Sequence, residues 1–231
     1  EAKVEVKGLF PSQGESQFIS RTLVVEAQQR ELVPDAHAAL MMGVDIARKG
    51  EDYSVIRFRQ GRNGRIIPAL KYKGRDNMQM ANEIAHLINK YSPDAVCIDA
   101  GSGTGVIDRL KEMGYKVHEV WFGSKPDSEQ WANKRIELWA HMRDWLEGAC
   151  IDTDPMLAQD LTAPEYKFMG QGDKIVLESK EDMKKRGLAS PDDGDALACT
   201  FAVKVPRKDS SNLRGGRGRQ RFADDMDYKI F

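Results

Sequence analysis

Three aspartates stand where a carboxylate is expensive to keep, and that expense points to a bound cation. Asp45 closes the apolar run Leu40-Met41-Met42-Gly43-Val44, and Asp99 closes Ala95-Val96-Cys97-Ile98. Both runs have the length and composition of central strands covered on both sides. An ionised carboxylate in such a place must be paired or must coordinate a metal. If the two strands are parallel neighbours, their ends coincide, and two like charges side by side favour a shared proton or a divalent ion. A third group, Asp192-Asp193-Gly194-Asp195, opens an apolar stretch after Pro191. Asp192 and Asp195 are three apart and share one helical face. Helix-dipole preferences account for Asp192 and Asp193. They account less well for Asp195, which is followed at once by Ala196-Leu197-Ala198-Cys199 and is expected to face inward. An all-oxygen ligand set selects Mg²⁺ or Mn²⁺ over zinc. Two such ions about 3.5–4 Å apart are the usual device for in-line phosphodiester hydrolysis. Taken singly, each aspartate reads better as a strand end or a cap; the three together read as a metal site.

The elements that would position them follow from periodicity. Arg21 to Arg30 suits a short helix ending before Pro34. The run to Asp45 is a strand, and Tyr53 to Arg59 alternates as a half-buried strand does, with Arg65 to Lys73 continuing a hairpin across Gly61-Arg62-Asn63-Gly64. From Asp76 to Tyr91 the period becomes helical, with Asp76 and Gln79 as a capping pair and Pro93 as the stop. After Asp99 a glycine-rich turn leads into a helix from about Gly105 to Met113, then a strand at Lys116 to Val120. Glu129 to Glu147 reads as one long helix, and Asp154 to Leu161 as another. Tyr166 to Leu177 reads as a second hairpin, Glu181 to Arg186 as a short helix, and Pro191 to Val203 as the last. Antiparallel connections followed by alternating strands and helices predict an α/β fold, a mixed sheet with helices on both faces.

Bulk properties narrow the class. The chain has 231 residues, 41% hydrophobic and 31% charged, with a net charge of −1. That suits one sizeable globular domain with extensions, and no apolar run approaches the ~20 residues of a membrane span. Nucleic-acid binding would have to come from locally clustered Lys and Arg. Cys97, Cys150 and Cys199 form no paired motif and read as buried free thiols. The four histidines lack metal-ligand spacing. The chain opens at Glu1-Ala2-Lys3 without an initiator Met and reads as a piece of something longer.

Longer strings sharpen the picture. The order strand-Asp, hairpin, strand-Asp, distal helix-Asp resembles the ribonuclease H-like nucleases. Gly43-Val44-Asp45 with Gly50-Glu51-Asp52-Tyr53-Ser54 is similar to the first motif of terminase large-subunit nuclease domains from tailed phages. Ile98-Asp99 with Gly101-Ser102-Gly103-Thr104-Gly105 and Arg109-Leu110 is similar to the second. Asn133-Lys134-Arg135-Ile136-Glu137-Leu138-Trp139 resembles a family helix, and Leu177 to Gly187 with Ser190 to Leu197 resembles its C-terminal block. The likeness spans roughly residues 1–205. It implies a ribonuclease H-like sheet with an extra β-hairpin, and an endonuclease that cuts concatemeric viral double-stranded DNA in the host cytoplasm during packaging. It implies two Mg²⁺ or Mn²⁺ ions on catalytic Asp45, Asp99 and Asp195, with Asp192 as a further ligand; the family's pattern at Asp193 is often non-acidic. It also implies the terminase small subunit and the portal protein as partners, and an ATPase domain upstream. This sequence has no Walker motif. On this reading residues 1–38 are a linker, 39–205 the nuclease domain and 206–231 a flexible basic tail.

Other features compete for meaning. Gly101 to Gly105 could cradle a phosphate at a helix start. Its spacing fits no nucleotide fingerprint, and a tight turn beside the metal site is the better reading. Lys49, Lys134 and Arg135 could meet DNA phosphates; solvated surface charge explains them equally well. The tryptophans read as packing residues. Two further functions stay open: a junction resolvase or transposase-like nuclease, and a nucleotide-binding module without nuclease activity.

Overall fold

The computed structural model describes residues 16–47, 52–169 and 174–208. Its centre is a five-stranded sheet in the order β3-β2-β1-β4-β5, made of β1 (Leu40–Asp45), β2 (Ser54–Gln60), β3 (Leu70–Tyr72), β4 (Ala95–Asp99) and β5 (His118–Val120). β2 runs antiparallel to β1 and β3, whereas β1, β4 and β5 are parallel. The helices are α1 (Arg21–Gln29), α2 (Asn77–Tyr91), α3 (Ala100–Glu112), α4 (Lys134–Leu146), α5 (Pro155–Thr162), α6 (Lys180–Lys185) and α7 (Asp192–Cys199). A separate hairpin pairs β6 (Tyr166–Met169) with β7 (Lys174–Leu177). This is the mixed, doubly covered sheet with an extra hairpin that the sequence led us to expect.

Period-two alternation sorts the sheet into two faces. Met42, Val44, Ile56, Phe58, Val96 and Ile98 pack with α2 and α3 in one core. Gly43, Asp45, Cys97 and Asp99 occupy the alternate positions, on the side of α4 and α7. There Cys97 joins Trp139, Trp145, Leu197 and Cys199 in a second core. α7 lies almost on the backbone of β1: a Cβ at Gly43 would stand 2.0 Å from the Ala196 carbonyl oxygen. That close approach carries the N-terminus of α7 to the end of β1.

Several boundaries moved, each for a physical reason. The Gly101–Gly105 stretch is no turn but the opening of α3, which Asp99 itself caps by accepting the Gly101 N–H at 3.0 Å. Gly103 faces Ile98 and Ile46 closely, so its small size serves helix–sheet packing. The long helix begins only at Lys134, because Asn133 caps it by accepting from the Ile136 N–H at 3.2 Å; Trp131 precedes it in extended backbone bridged to Ile175. β3 keeps only three residues of the expected second hairpin strand. The final helix stops at Cys199, and Thr200 to Ala202 continue as tight turns. β2 is not half-exposed: Arg57 and Arg59 are buried beneath α7. The capping box at Asp76 and Gln79 is as expected.

Candidate functional site

The register brings two of the aspartates together. Val44 pairs with Ile98 in parallel strands, so Asp45 and Asp99 follow side by side at the same sheet end. α7 adds Asp192 and Asp195 from above. Asp45, Asp99, Asp192 and Asp195 are all buried, Asp195 completely.

One cation joins three of them. Lys180, the first residue of α6, donates from Nζ to Asp45 Oδ2 at 2.9 Å and to Asp192 Oδ1 at 3.3 Å, and lies 3.1 Å from Asp195 Oδ2. Asp195 is also gripped by Arg135, whose Nε and Nη2 donate to its two oxygens at 2.9 and 3.2 Å, and by Trp139 Nε1 at 2.8 Å. Asp192 accepts the Tyr53 backbone N–H at 3.3 Å. Asp99 has its own cap contact with Gly101.

The electrostatics divide the four. Burial raises Asp45 above the usual carboxylate range, with Lys180 opposing it. Burial, reinforced by the nearby Asp45 charge, pushes Asp99 up to about 7. Burial likewise pushes Asp192 up to about 7 against the pull of Lys180. Asp195 is the exception: burial would raise it, but Arg135 and Lys180 together hold it below its ordinary value. Burial would also lower Lys180, yet Asp45, Asp195 and Asp192 keep its ammonium charged. The cluster therefore carries more carboxylate than cation.

Such a set suits a hard divalent ion by its chemistry, since every donor is a carboxylate oxygen. Among the described residues no three ligating side chains already close on a single point. Asp45, Asp192 and Asp195 are instead arrayed around the Lys180 ammonium, a monovalent charge between them. The site opens into a cleft of about 590 Å³, lined by Asp99, Asp192, Lys180, Ser179 and Trp121.

The remaining expected residues fall elsewhere. Asp193 points away from the cleft to Arg57, whose Nε donates to its Oδ1 at 2.6 Å, and to Lys71. Arg135, expected at a DNA phosphate, is buried and committed to Asp195 and to the Glu178 carbonyl at 2.8 Å. Lys134 donates to Asp127 at 2.9 Å and Glu137 at 2.7 Å. Lys49, residues 1–15 of the linker and the tail beyond Lys208 lie outside the described residues. Lys180 was not singled out from the sequence. The clue available was charge balance, because three inward aspartates require a cation and the Leu177–Gly187 string is rich in lysine.

No protein-family model and no curated protein matches the chain. Solved structures do. The nuclease domain of the large terminase subunit gp2 of bacterial virus Sf6 superposes with a TM-score of 0.70 at 20% identity, covering 81% of this chain and 99% of that one. A variant of the same domain with manganese gives 0.65 at 19%, over 79% and 97%. The large terminase nuclease of thermophilic phage G20c with bound magnesium gives 0.60 at 15%, over 82% and 98%. At these identities the likeness establishes a shared fold.

Proposed function

We propose that this chain is a metal-dependent endonuclease of the terminase large-subunit kind, which cuts concatemeric viral double-stranded DNA during genome packaging. The observation that carries the reading is the convergence of four buried aspartates from two parallel strand ends and one helix start, short of positive charge. The motif resemblance and the shared fold, including relatives whose structures hold manganese or magnesium, support it. By the same resemblance the terminase small subunit and the portal protein are its partners, and the host cytoplasm is its place of work.

Asp45, Asp99, Asp192 and Asp195 would hold two Mg²⁺ or Mn²⁺ ions. When bound, such ions supply the charge that activates the attacking water and stabilises the leaving 3′ oxygen. The chain's own residues prepare the place. Arg135 and Trp139 fix both oxygens of Asp195, so that carboxylate is ionised and oriented beforehand. The Gly101 N–H orients one oxygen of Asp99. Lys180 neutralises part of the charge and holds Asp45 and Asp192 toward one centre.

A nucleotide-binding role for Gly101–Gly105 finds no support, because the segment is helical and packed against Ile98, Ile46 and Asn77. The test is plasmid nicking with Mn²⁺ or Mg²⁺ and with chelator. Cutting should require metal and should vanish in Asp45→Ala while the fold is kept. Undiminished cutting by that variant would sink the assignment.

A further inference from the structure

Trp121 is unlike the other tryptophans. Of the four, Trp131, Trp139 and Trp145 are buried, whereas Trp121 leaves 48% of its surface exposed. Half-exposed, an indole forgoes much of its hydrophobic stabilisation unless something covers it. The sheet decides where it stands. Val120 is the register partner of Asp99, so Trp121 is the next residue beyond the carboxylate-bearing sheet end. The ring is held rather than loose. Its Nε1 donates to Glu119 Oε2 at 3.2 Å, and Glu119 is itself paired with Lys111. With its N–H tied back in this way, the indole walls the cleft that contains Asp99, Lys180 and Asp192, and also a smaller neighbouring groove of about 380 Å³. Lys180 and Lys184 of α6 line the same cleft, the first paired with Asp45, Asp192 and Asp195 and the second with Asp52.

A flat apolar wall beside a floor that would hold divalent ions matches a nucleic-acid strand. Its phosphate belongs over the floor, and a base or sugar face belongs against the ring. We infer that Trp121 is a positioning platform, lying against a base or deoxyribose next to the scissile phosphodiester. This rests on the nuclease reading above.

The experiment uses the one tryptophan that solvent reaches. In the Asp45→Ala protein, which leaves DNA intact, a short duplex should quench the exposed component of tryptophan emission. Asp45→Ala/Trp121→Phe should lose that quenching. In the otherwise unaltered chain with Mn²⁺, Trp121→Ala should raise KM for plasmid nicking about tenfold, as expected for loss of one stacking contact, with little change in kcat. Trp121→Phe should restore most of the KM. A thermal melt close to that of the parent would confirm that Trp121→Ala folds. An unchanged KM in Trp121→Ala, or emission that bound duplex does not move, would overturn the inference. Quenching by an apolar peptide but not by DNA would do so too, in favour of a protein partner. If the parent chain does not cut at all, the nuclease reading fails, and the emission titration still decides whether Trp121 meets DNA.

Discussion

Two acidic clusters lie back to back across the start of α7, and they are built to opposite ends. On the cleft side, Asp45, Asp192 and Asp195 share Lys180 and, through Asp195, Arg135, with Asp99 beside Asp45 at the sheet end. On the far side, Asp193, Asp152 and Asp154 surround Arg57 and Lys71. Arg57 donates to Asp193 at 2.6 Å and to Asp152 at 2.5 Å, and Lys71 to Asp154 at 2.6 Å. The far cluster sets three carboxylates against two cations, every one of them in an ion pair, and its contacts clamp β2 and β3 to α7 and the start of α5. The cleft cluster is left with a surplus of carboxylate, and burial raises three of its four members. Neighbouring residues on one helix thus serve different purposes: Asp193 secures the helix that Asp192 and Asp195 use. The cluster with the larger surplus of carboxylate, opening into a cleft, is the candidate metal centre; the one whose carboxylates are taken up by Arg57 and Lys71 is a structural joint.

The largest contrast should come from removing one member of each. Asp45→Ala should lower metal-dependent cutting by about a thousandfold or more, since a lost ion is worth several kcal/mol in the transition state. Its thermal midpoint should hold or rise, because the substitution removes a buried carboxylate that lacks full compensation. Arg57→Ala should do the reverse. It leaves Asp193 and Asp152 without their shared cation in a buried site, at a cost of about 3–5 kcal/mol read by urea denaturation. If Asp45→Ala unfolds the protein while Arg57→Ala does not, the contrast is wrong.

pH should separate the clusters next. Burial pushes Asp99 and Asp192 up to about 7, well above the ordinary carboxylate range, so the folded chain binds their protons more tightly. Stability in chelator should therefore fall as pH rises from about 4 to about 7, and Mn²⁺ should reverse the loss. Asp154 runs the other way. Burial would raise it, but Lys71 and the Met156 N–H hold it low, so its contribution is present above its unfolded value and lost as pH falls. A melting temperature in chelator that climbs steadily between about pH 5 and about pH 8 would contradict the first half. The smallest effect belongs to Lys71→Met at the edge of the far cluster. With Arg57 still in place it should cost about 1 kcal/mol in the same denaturation assay.

Much of this could be read from the chain itself. The apolar runs ending at Asp45 and Asp99, the capping box at Asp76 and Gln79, and the hairpin at Tyr166 to Leu177 are local patterns with local causes. The errors share a cause too. Gly101–Gly105 looks like a turn because glycine is a poor helix former, yet contact with Ile46, Ile98 and Asn77 repays its entropy. Arg57 and Arg59 look solvent-facing because charge alternates with apolar residues, yet α7 covers them and supplies Asp193 and Thr200. Trp121 looks like one more packing residue, yet it alone of the four tryptophans is left half-exposed.

Sequence alone determined which residue types could do the chemistry: carboxylates ending core strands, and two acids three apart at a helix start. Those follow from desolvation and from helical periodicity, which act within a few residues of chain. Only the tertiary structure decided which of them meet. The parallel pairing of β1 with β4 sets Asp45 beside Asp99, and the absence of a side chain at Gly43 lets α7 descend to join them. Lys180 and Arg135 then arrive from distant segments, because the charge they balance exists only once the aspartates are together.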